Sequence, residues 1–562
     1  MSDRRRMRRA GLVAVAAAIA VLLSACVGIP TSGSVIAGRE VSELEEGEFE
    51  IFPEGPVSGA DQESILRGFT TAFSGSGNYE VARQFLTREL AESWDPRANV
   101  LVRNDAPRFV EIDGDSMEYS VITSASVDAS GSYGSFTPAM QSLPYQFVQE
   151  DGEWRISSAP DGIVLSSGTF TNLFAEHTLY FLDPTRQSLV PDLRWFPAGT
   201  AATRVVSALL DGPPPWLQGA VGTAFPDGTQ LTSPQLVAVE SNIAIVDLTA
   251  EALAADEGQR QLMRVQLEAS LGNLASVSSV EISVAGTPLT VLEAGQNAPQ
   301  PHPQIDNRAL VMKDGEFGYY ANDRVAPIDG LSNKIVETNP RDATVSAGGD
   351  RAVALGEGGV YLVSAQAESP LLVDSRPGLT APSLDNYGFV WSAQAADPTS
   401  IRVFDSDGNA SEVAATLPAG ATIVSLTVSR DGARVAIFLD TNAGPRLIVA
   451  AIGRDANRNQ LPVILGEPKV DVISNAGTAI DATWLDELSV ATLSRGETET
   501  AVEVYTIGGQ RTSLGSPGDA IAIVGGNSAN GLRVLGSDGE ISARRGSGWQ
   551  GGLVGTFIAT QR

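Results

Sequence analysis

The chain has 562 residues, 43% apolar and 19% charged, a composition that excludes a disordered polymer and a length that exceeds what one hydrophobic core organises. Its 38 Lys and Arg face 67 Asp and Glu, a formal charge of -29, which argues against nucleic acid as a partner and favours a basic protein surface. One cysteine and two histidines are too few for a disulfide framework, a zinc site or most histidine-dependent catalysis, so no metal or cofactor is expected.

At the amino terminus Arg4, Arg5, Arg6, Arg8 and Arg9 precede an apolar run from Gly11 to Leu23. The run is shorter than the roughly 20 residues that span a bilayer and reads as an export signal. It closes on Leu23-Ser24-Ala25-Cys26, which resembles the lipobox of bacterial lipoproteins. That resemblance implies cleavage before Cys26, an S-diacylglyceryl group on its thiol and an N-palmitoyl group at the new amino terminus. Acyl chains contributing about 0.8 kcal/mol per buried methylene then hold the protein on the extracytoplasmic face of the cell membrane without a spanning helix. Loss of the leader, residues 1–25, removes five arginines and one aspartate and leaves 33 basic and 66 acidic residues, a charge near -33.

Residues 26–59, with Glu40, Glu43, Glu45, Glu46, Glu48 and Glu50, form a flexible acidic tether. From 60 to 168 helices precede strands. Leu66, Phe69 and Phe73 follow Asp61 at helical spacing, Asn78 caps a second helix carrying Val81, Phe85 and Leu86, and Met117 to Val127 is a strand. Pro144–Val148 and Glu153–Ile156 flank Glu150-Asp151-Gly152 as a hairpin. The order, ending in Trp154-Arg155-Ile156, resembles the cone-shaped α+β domains of the nuclear transport factor 2 superfamily.

Residues 169–295 open with two strands, His177–Asp183 and Leu189–Arg194, joined at Asp183-Pro184. A helix with Val205, Val206, Leu209 and Leu210 stops at Asp211-Gly212-Pro213, Asn242–Leu248 alternates as a strand, and Met263, Leu267, Leu271 and Leu274 line one face of a second helix. Val280, Ile282 and Val284 form a further strand. Leu209-Leu210-Asp211-Gly212-Pro213, then Phe225-Pro226-Asp227-Gly228-Thr229, then Val246-Asp247-Leu248 follow the order of a GerMN domain, and the segment resembles that α+β binding module.

A Pro-rich linker, 296–304, leads to residues 305–562, where short strands alternate with Gly, Asp and Asn turns. Val345 to Leu355 lies over Val428 to Phe438, and Ser383-Leu384-Asp385 and Trp484-Leu485-Asp486 are weaker copies. Anchors at 346, 383, 429 and 484 are 37, 46 and 55 residues apart, a spacing suited to β-propeller blades. Units near Leu310 and Ile523 bring the count to about six, with five and seven left open, and Val554 to Ala559 is a candidate to close the ring.

His177 beside a strand and His302 in a linker make poor general bases. Asp455-Ala456-Asn457-Arg458-Asn459 places oxygens like a calcium loop, but Gln460 and Gly466 stand where glycine and glutamate belong. Asp405-Ser406-Asp407-Gly408-Asn409 reads as a hairpin turn, and Asp385, Asp431 and Asp486 as turn residues bonding their own backbone. No catalytic residue emerges.

Lipobox, cone-like domain, GerMN-like domain and terminal propeller, in this order, resemble the actinobacterial lipoprotein LpqB family, with Leu179-Tyr180-Phe181-Leu182-Asp183-Pro184 and Leu189-Val190-Pro191-Asp192-Leu193-Arg194-Trp195 as local support. The resemblance implies a non-enzymatic regulator. It would bind the extracellular domain of an MtrB-like sensor histidine kinase and modulate MtrA-MtrB two-component signalling in envelope homeostasis and division, through its propeller face or GerMN-like groove. Binding of a wall polymer such as peptidoglycan, and an envelope hydrolase with acids in the propeller mouth, are the alternatives.

Overall fold

The computed structural model describes residues 53–75, 79–233, 236–293, 295, 298–474 and 477–562, all within one compact unit, Pro53–Arg562. Leu23, Ser24, Ala25, Cys26, the tether glutamates and Asn78 lie outside the described residues.

In the first domain Asp61 caps helix α1 (Gln62–Thr71), accepting from the Ser64 amide at 2.9 Å, and Ile65, Leu66 and Phe69 are buried beneath it. The second helix is shorter than its apolar spacing predicts. α2 is Glu80–Arg83 and begins after Tyr79, which has a φ of 57°; Phe85 and Leu86 lie beyond its end, and Leu86 bridges to Ile156. The tertiary pairing of Leu86 with the sheet overrides its helical periodicity. α3 (Arg88–Ser93) follows, capped by Thr87.

Strands β1 (Asn99–Arg103), β2 (Arg108–Asp113), β3 (Ser116–Asp128), β4 (Tyr133–Glu150), β5 (Glu153–Ser158) and β6 (Ile163–Ser166) make one sheet in the order β5-β4-β3-β1-β6, with β2 against β3. Met117, Tyr119, Val121, Ala125 and Val127 alternate inward along β3, onto a core containing Phe69, Phe73, Trp94 and Tyr145. Asp151 and Gly152, both at positive φ, make the β4–β5 turn whose twist matches the strands. β5 covers only Gln146–Glu150, so the preceding residues of the 18-residue β4 pair only toward β3.

After α4 (Ser167–Leu173) the chain forms a two-stranded ribbon, β7 (Phe174–Leu182) with β8 (Leu189–Pro197), paired from Phe174↔Pro197 to Leu182↔Leu189. A lone ribbon is marginal in water. Here Leu179, Tyr180, Phe181, Leu182, Leu189 and Val190 are all buried, because the second domain packs on the ribbon and the propeller meets it from another side.

The second domain adds α5 (Ala201–Leu210), β9 (Ala238–Glu240), β10 (Ile243–Leu248), α6 (Glu257–Leu271), β11 (Ser279–Val284) and β12 (Thr287–Pro288), its sheet ordered β12-β11-β10-β9. β10 and β11 are parallel, with α6 as the crossover. A capping box between Asp256 and Gln259 starts α6, and its face of Met263, Leu267 and Leu271 is fully buried. Leu274 lies past the helix end but still packs on the core. Gln266 and Ser270 on α6 satisfy the ribbon edge: the amide of Gln266 donates to the Tyr180 carbonyl at 2.9 Å, and the Ser270 hydroxyl accepts from the Tyr180 N–H at 3.0 Å.

The remaining chain is a six-bladed propeller. Inner strands Asp342–Val345, Ser383–Leu384, Thr422–Val428, Thr478–Trp484 and Ala520–Val524 open blades 2 to 6. Blade 1 takes its inner strand from the chain's end: Phe557–Gln561 pairs with Ala309–Lys313 and, in parallel, with the inner strand of blade 2. The closing strand therefore starts later than the pattern of apolar residues indicates, since Val554 ends the outer strand of blade 6, Gly548–Val554. The repeat anchors at 346, 383, 429 and 484 fall in or just after inner strands.

Deleting residues 557–562 should open the ring. Phe557 and Ile558 are both buried, and at about 1.5 to 3 kcal/mol for each the urea midpoint should show a loss of at least about 3 kcal/mol. An unchanged midpoint would mean that the ring holds without its last strand.

Candidate functional site

The propeller face that carries the turns after the inner strands is met by the ribbon at blades 3 to 5. The Tyr180 hydroxyl donates to Oε1 of Glu487 at 2.7 Å and lies 3.3 Å from Nε2 of His302. Nδ1 of His302 is 2.6 Å from Oε1 of Glu487, and its backbone N–H donates to Oε2 at 2.8 Å, so one buried carboxylate ties ribbon and linker to blade 5. At blade 3 the Tyr387 hydroxyl donates to Asp183 at 2.7 Å, and Asp183 also accepts from the Thr185, Gln187 and Ser188 amides of its own turn. Burial, followed by the neighbouring carboxylates, pushes the Tyr180 and Tyr387 phenols well above the ordinary range.

Asp385, Asp431 and Asp486 accept from the Tyr387, Ala433 and Leu488 amides, as turn chemistry requires. Two of them do more. Asp385 also pairs with Arg454 at 2.8 Å, whose guanidinium stacks on Tyr387, and Asp431 pairs with the fully buried Arg434, which in turn donates to the Glu487 carbonyl. These residues, with Glu487, are absent from the site residues proposed on sequence. Glu487 had a signal: it follows the repeated Asp where the other copies place Asn386 and Gly432.

The ribbon also reaches the other two modules. Arg194 pairs with Asp192 and donates to the Ser130 carbonyl of the first domain at 2.6 Å, while Asp192 accepts from the Trp216 indole at 3.0 Å. Trp195 packs against Phe170 and Tyr133 of the first domain and donates to the Gly508 carbonyl of blade 5 at 3.0 Å. Gly508 has a φ of 81°, and a Cβ there would lie 2.8 Å from the Leu193 carbonyl oxygen. His177 is buried near Phe196; burial lowers its pKa, and among the described residues neither ring nitrogen has a hydrogen-bond partner.

Asp342 and Asp481 lie on the inner strands of blades 2 and 5, opposite one another in the ring. Burial raises both carboxyls, Asp481 to about 6, and the Asp481 charge raises Asp342 further. The oxygens of Asp481 accept from the amide of its neighbour Ala482 at 2.8 Å and from the Ile523 amide at 2.9 Å, the second bond joining blades 5 and 6. Asp455 likewise accepts from the Asn457 amide in its own turn, and Asp405 from those of Asp407 and Asn409.

A different surface is open. No charged residue occurs from Tyr133 to Gln149. Ile122 and its cross-strand partner Met140 are exposed on the outer sheet face, as are Val110, Phe136 and Val148; Met140 is 68% exposed. The patch borders the stretch of β4 that pairs on one side only. Such an edge presents main-chain donors and acceptors to an added strand.

Three families match. Residues 55–171 match "Lipoprotein LpqB, N-terminal domain", residues 178–290 match "Sporulation and spore germination", and residues 315–556 match "Lipoprotein LpqB beta-propeller domain". Lipoprotein LpqB of Thermobifida fusca is 27% identical over 89% of this chain and 90% of the relative. That of Cutibacterium acnes is 27% identical over 86% and 79%. Among solved structures, TolB from Acinetobacter baumannii aligns over 44% of this chain and 64% of that one, with 14% identity and a TM-score of 0.32. Among the described residues no helix is long and apolar enough to cross a membrane.

The raised carboxyls set a pH dependence. The folded chain keeps protons on Asp342 and Asp481 that the unfolded chain releases near pH 4, so this pair costs stability as pH rises above about 4, for Asp481 through about 6. Asp342→Asn should therefore raise stability at pH 7.5 and change it little at pH 4. Denaturation curves at the two pH values check this, and equal shifts at both would contradict it.

Proposed function

The chain belongs to the lipoprotein LpqB family, and from that premise we propose that it is an extracytoplasmic lipoprotein that binds the extracellular domain of an MtrB-like sensor histidine kinase. In this reading acyl chains on Cys26 hold it at the membrane beside its partner, which raises their effective concentration. Binding modulates MtrA-MtrB signalling by favouring one state of the sensor over the other, because a ligand shifts an equilibrium only by its differential affinity.

The observation that carries a protein partner is the set of exposed apolar residues on the outer face of the first sheet beside the uncharged edge of β4. The exposed apolar pair Ile122 and Met140 next to unpaired main chain suits an extended protein strand, whose backbone supplies affinity and whose alternate side chains supply specificity. The ribbon occupies part of one propeller face, so that face is a poorer candidate for the contact.

The test is binding of the full chain, in detergent, to the cognate sensor ectodomain. Ile122→Asp and Met140→Asp place charges on an already exposed surface and should each weaken binding at least tenfold, about 1.4 kcal/mol, without lowering the melting temperature. Failure of the unaltered chain to bind, together with cosedimentation on purified peptidoglycan, would replace this reading with the wall-polymer one.

A further inference from the structure

The ring of blades closes between blade 6 and blade 1, and on the face of blade 6 turned to that seam there is a pocket of about 230 Å³. Arg533, Ala543 and Gln550 form one row across three adjacent strands, and Arg545 stands two residues along from Ala543 on the same face. Ile541 and Leu553 form the apolar wall toward blade 1. Opposite Ser542 the register skips Gly551 and Gly552, a bulge that takes their backbone out of the ladder at the pocket rim.

Two guanidinium groups share this pocket in a chain of charge -29. Among the described residues neither has a carboxylate within ion-pair distance. Arg533 donates to the carbonyls of Gly531 and Asn307, neutral groups that hold its guanidinium without cancelling its charge. The neighbouring acid in the seam, Asp306, is already held by Arg308 at 2.5 to 3.0 Å. Glu540 lies across the backbone of Gly551 and pairs with neither arginine. Burial, then the Arg545 charge, lowers the Arg533 pKa. An anion between them would relieve that repulsion.

We infer that this pocket binds a phosphate-bearing ligand, gripped by Arg533 and Arg545 with the Gln550 amide beside them. A carboxylate fills one guanidinium fork, whereas a phosphate has oxygens enough to serve two. The volume is several times the roughly 30 Å³ that one liquid water occupies, which leaves room for a phosphate and a small organic substituent. A free phosphomonoester and a phospholipid headgroup share this chemistry.

Isothermal titration of the full chain in non-ionic detergent distinguishes them, with inorganic phosphate, glycerol phosphate and a short-chain phosphatidylglycerol as ligands against chloride of equal ionic strength. Saturable binding of a phosphate compound, weakened at least tenfold by Arg545→Gln, is expected. The Arg545 side chain is exposed, so this substitution leaves folding intact. Arg533→Lys, which keeps the charge and loses the fork, should also weaken binding. Tighter binding of glycerol phosphate marks a soluble or polymer-borne phosphate; tighter binding of phosphatidylglycerol marks a lipid. Heats no larger than those of chloride, or affinity unchanged in Arg545→Gln, would overturn the inference.

Discussion

The architecture depends on one burial problem. The β7–β8 ribbon is too small to be stable by itself, and it carries polar groups, Tyr180, Asp183, Asp192 and Arg194, into the middle of the molecule. Each finds a partner outside the ribbon, and together they reach all three modules: Tyr180 in Glu487 of blade 5, Asp183 in Tyr387 of blade 3, Asp192 in Trp216 of the second domain, and Arg194 in Ser130 of the first. A buried carboxylate that loses its partner costs about 3 to 5 kcal/mol. Displacing the modules would break several such contacts at once, so the ribbon fixes them as one body and the linker at His302 is pinned with it.

That fixed body decides which surfaces are available. The turns after the inner strands of blades 3 to 5 serve internal docking, and their repeated aspartates are committed to backbone amides and to Arg454 and Arg434. The outer sheet face of the first domain, the edge of β4 and the arginine pocket of blade 6 remain outside the junction. The first two present exposed apolar side chains and the uncharged main chain of β4 while the third is cationic, so they suit different ligands and need not compete.

Much of the fold is legible because its signals are local. Alternation along Met117–Val127, the capping Asp61, the face of Met263, Leu267 and Leu271, and the Asp-Gly turns each depend on neighbours within a few residues. The recurring Ser and Asp anchors likewise mark inner strands and point to about six blades, while the end units match too poorly to exclude five or seven. The junction is not legible in this way. Glu487 is 307 positions from Tyr180, and nothing in Leu179-Tyr180-Phe181-Leu182 says whether a buried strand meets a lipid, a helix or a propeller. Arg533 and Arg545 are equally silent, since their kinship arises from strand register. Phe85 and Leu86 mislead for the converse reason: their helical spacing is real, but pairing with β5 wins.

A rigid ribbon junction and the open edge of β4 lie in one molecule, the first committed to docking and the second free to bind. Hydrogen exchange of the full chain, free and with the cognate sensor ectodomain, measures both together. The ribbon amides of β7 and β8 should exchange only through global opening in either state, while those amides of residues 135–143 that point away from β3 should exchange fast in the free chain and slow in the complex. Early exchange in the ribbon, or protection that falls on the turns of blades 3 to 5 and leaves residues 135–143 unchanged, would contradict it.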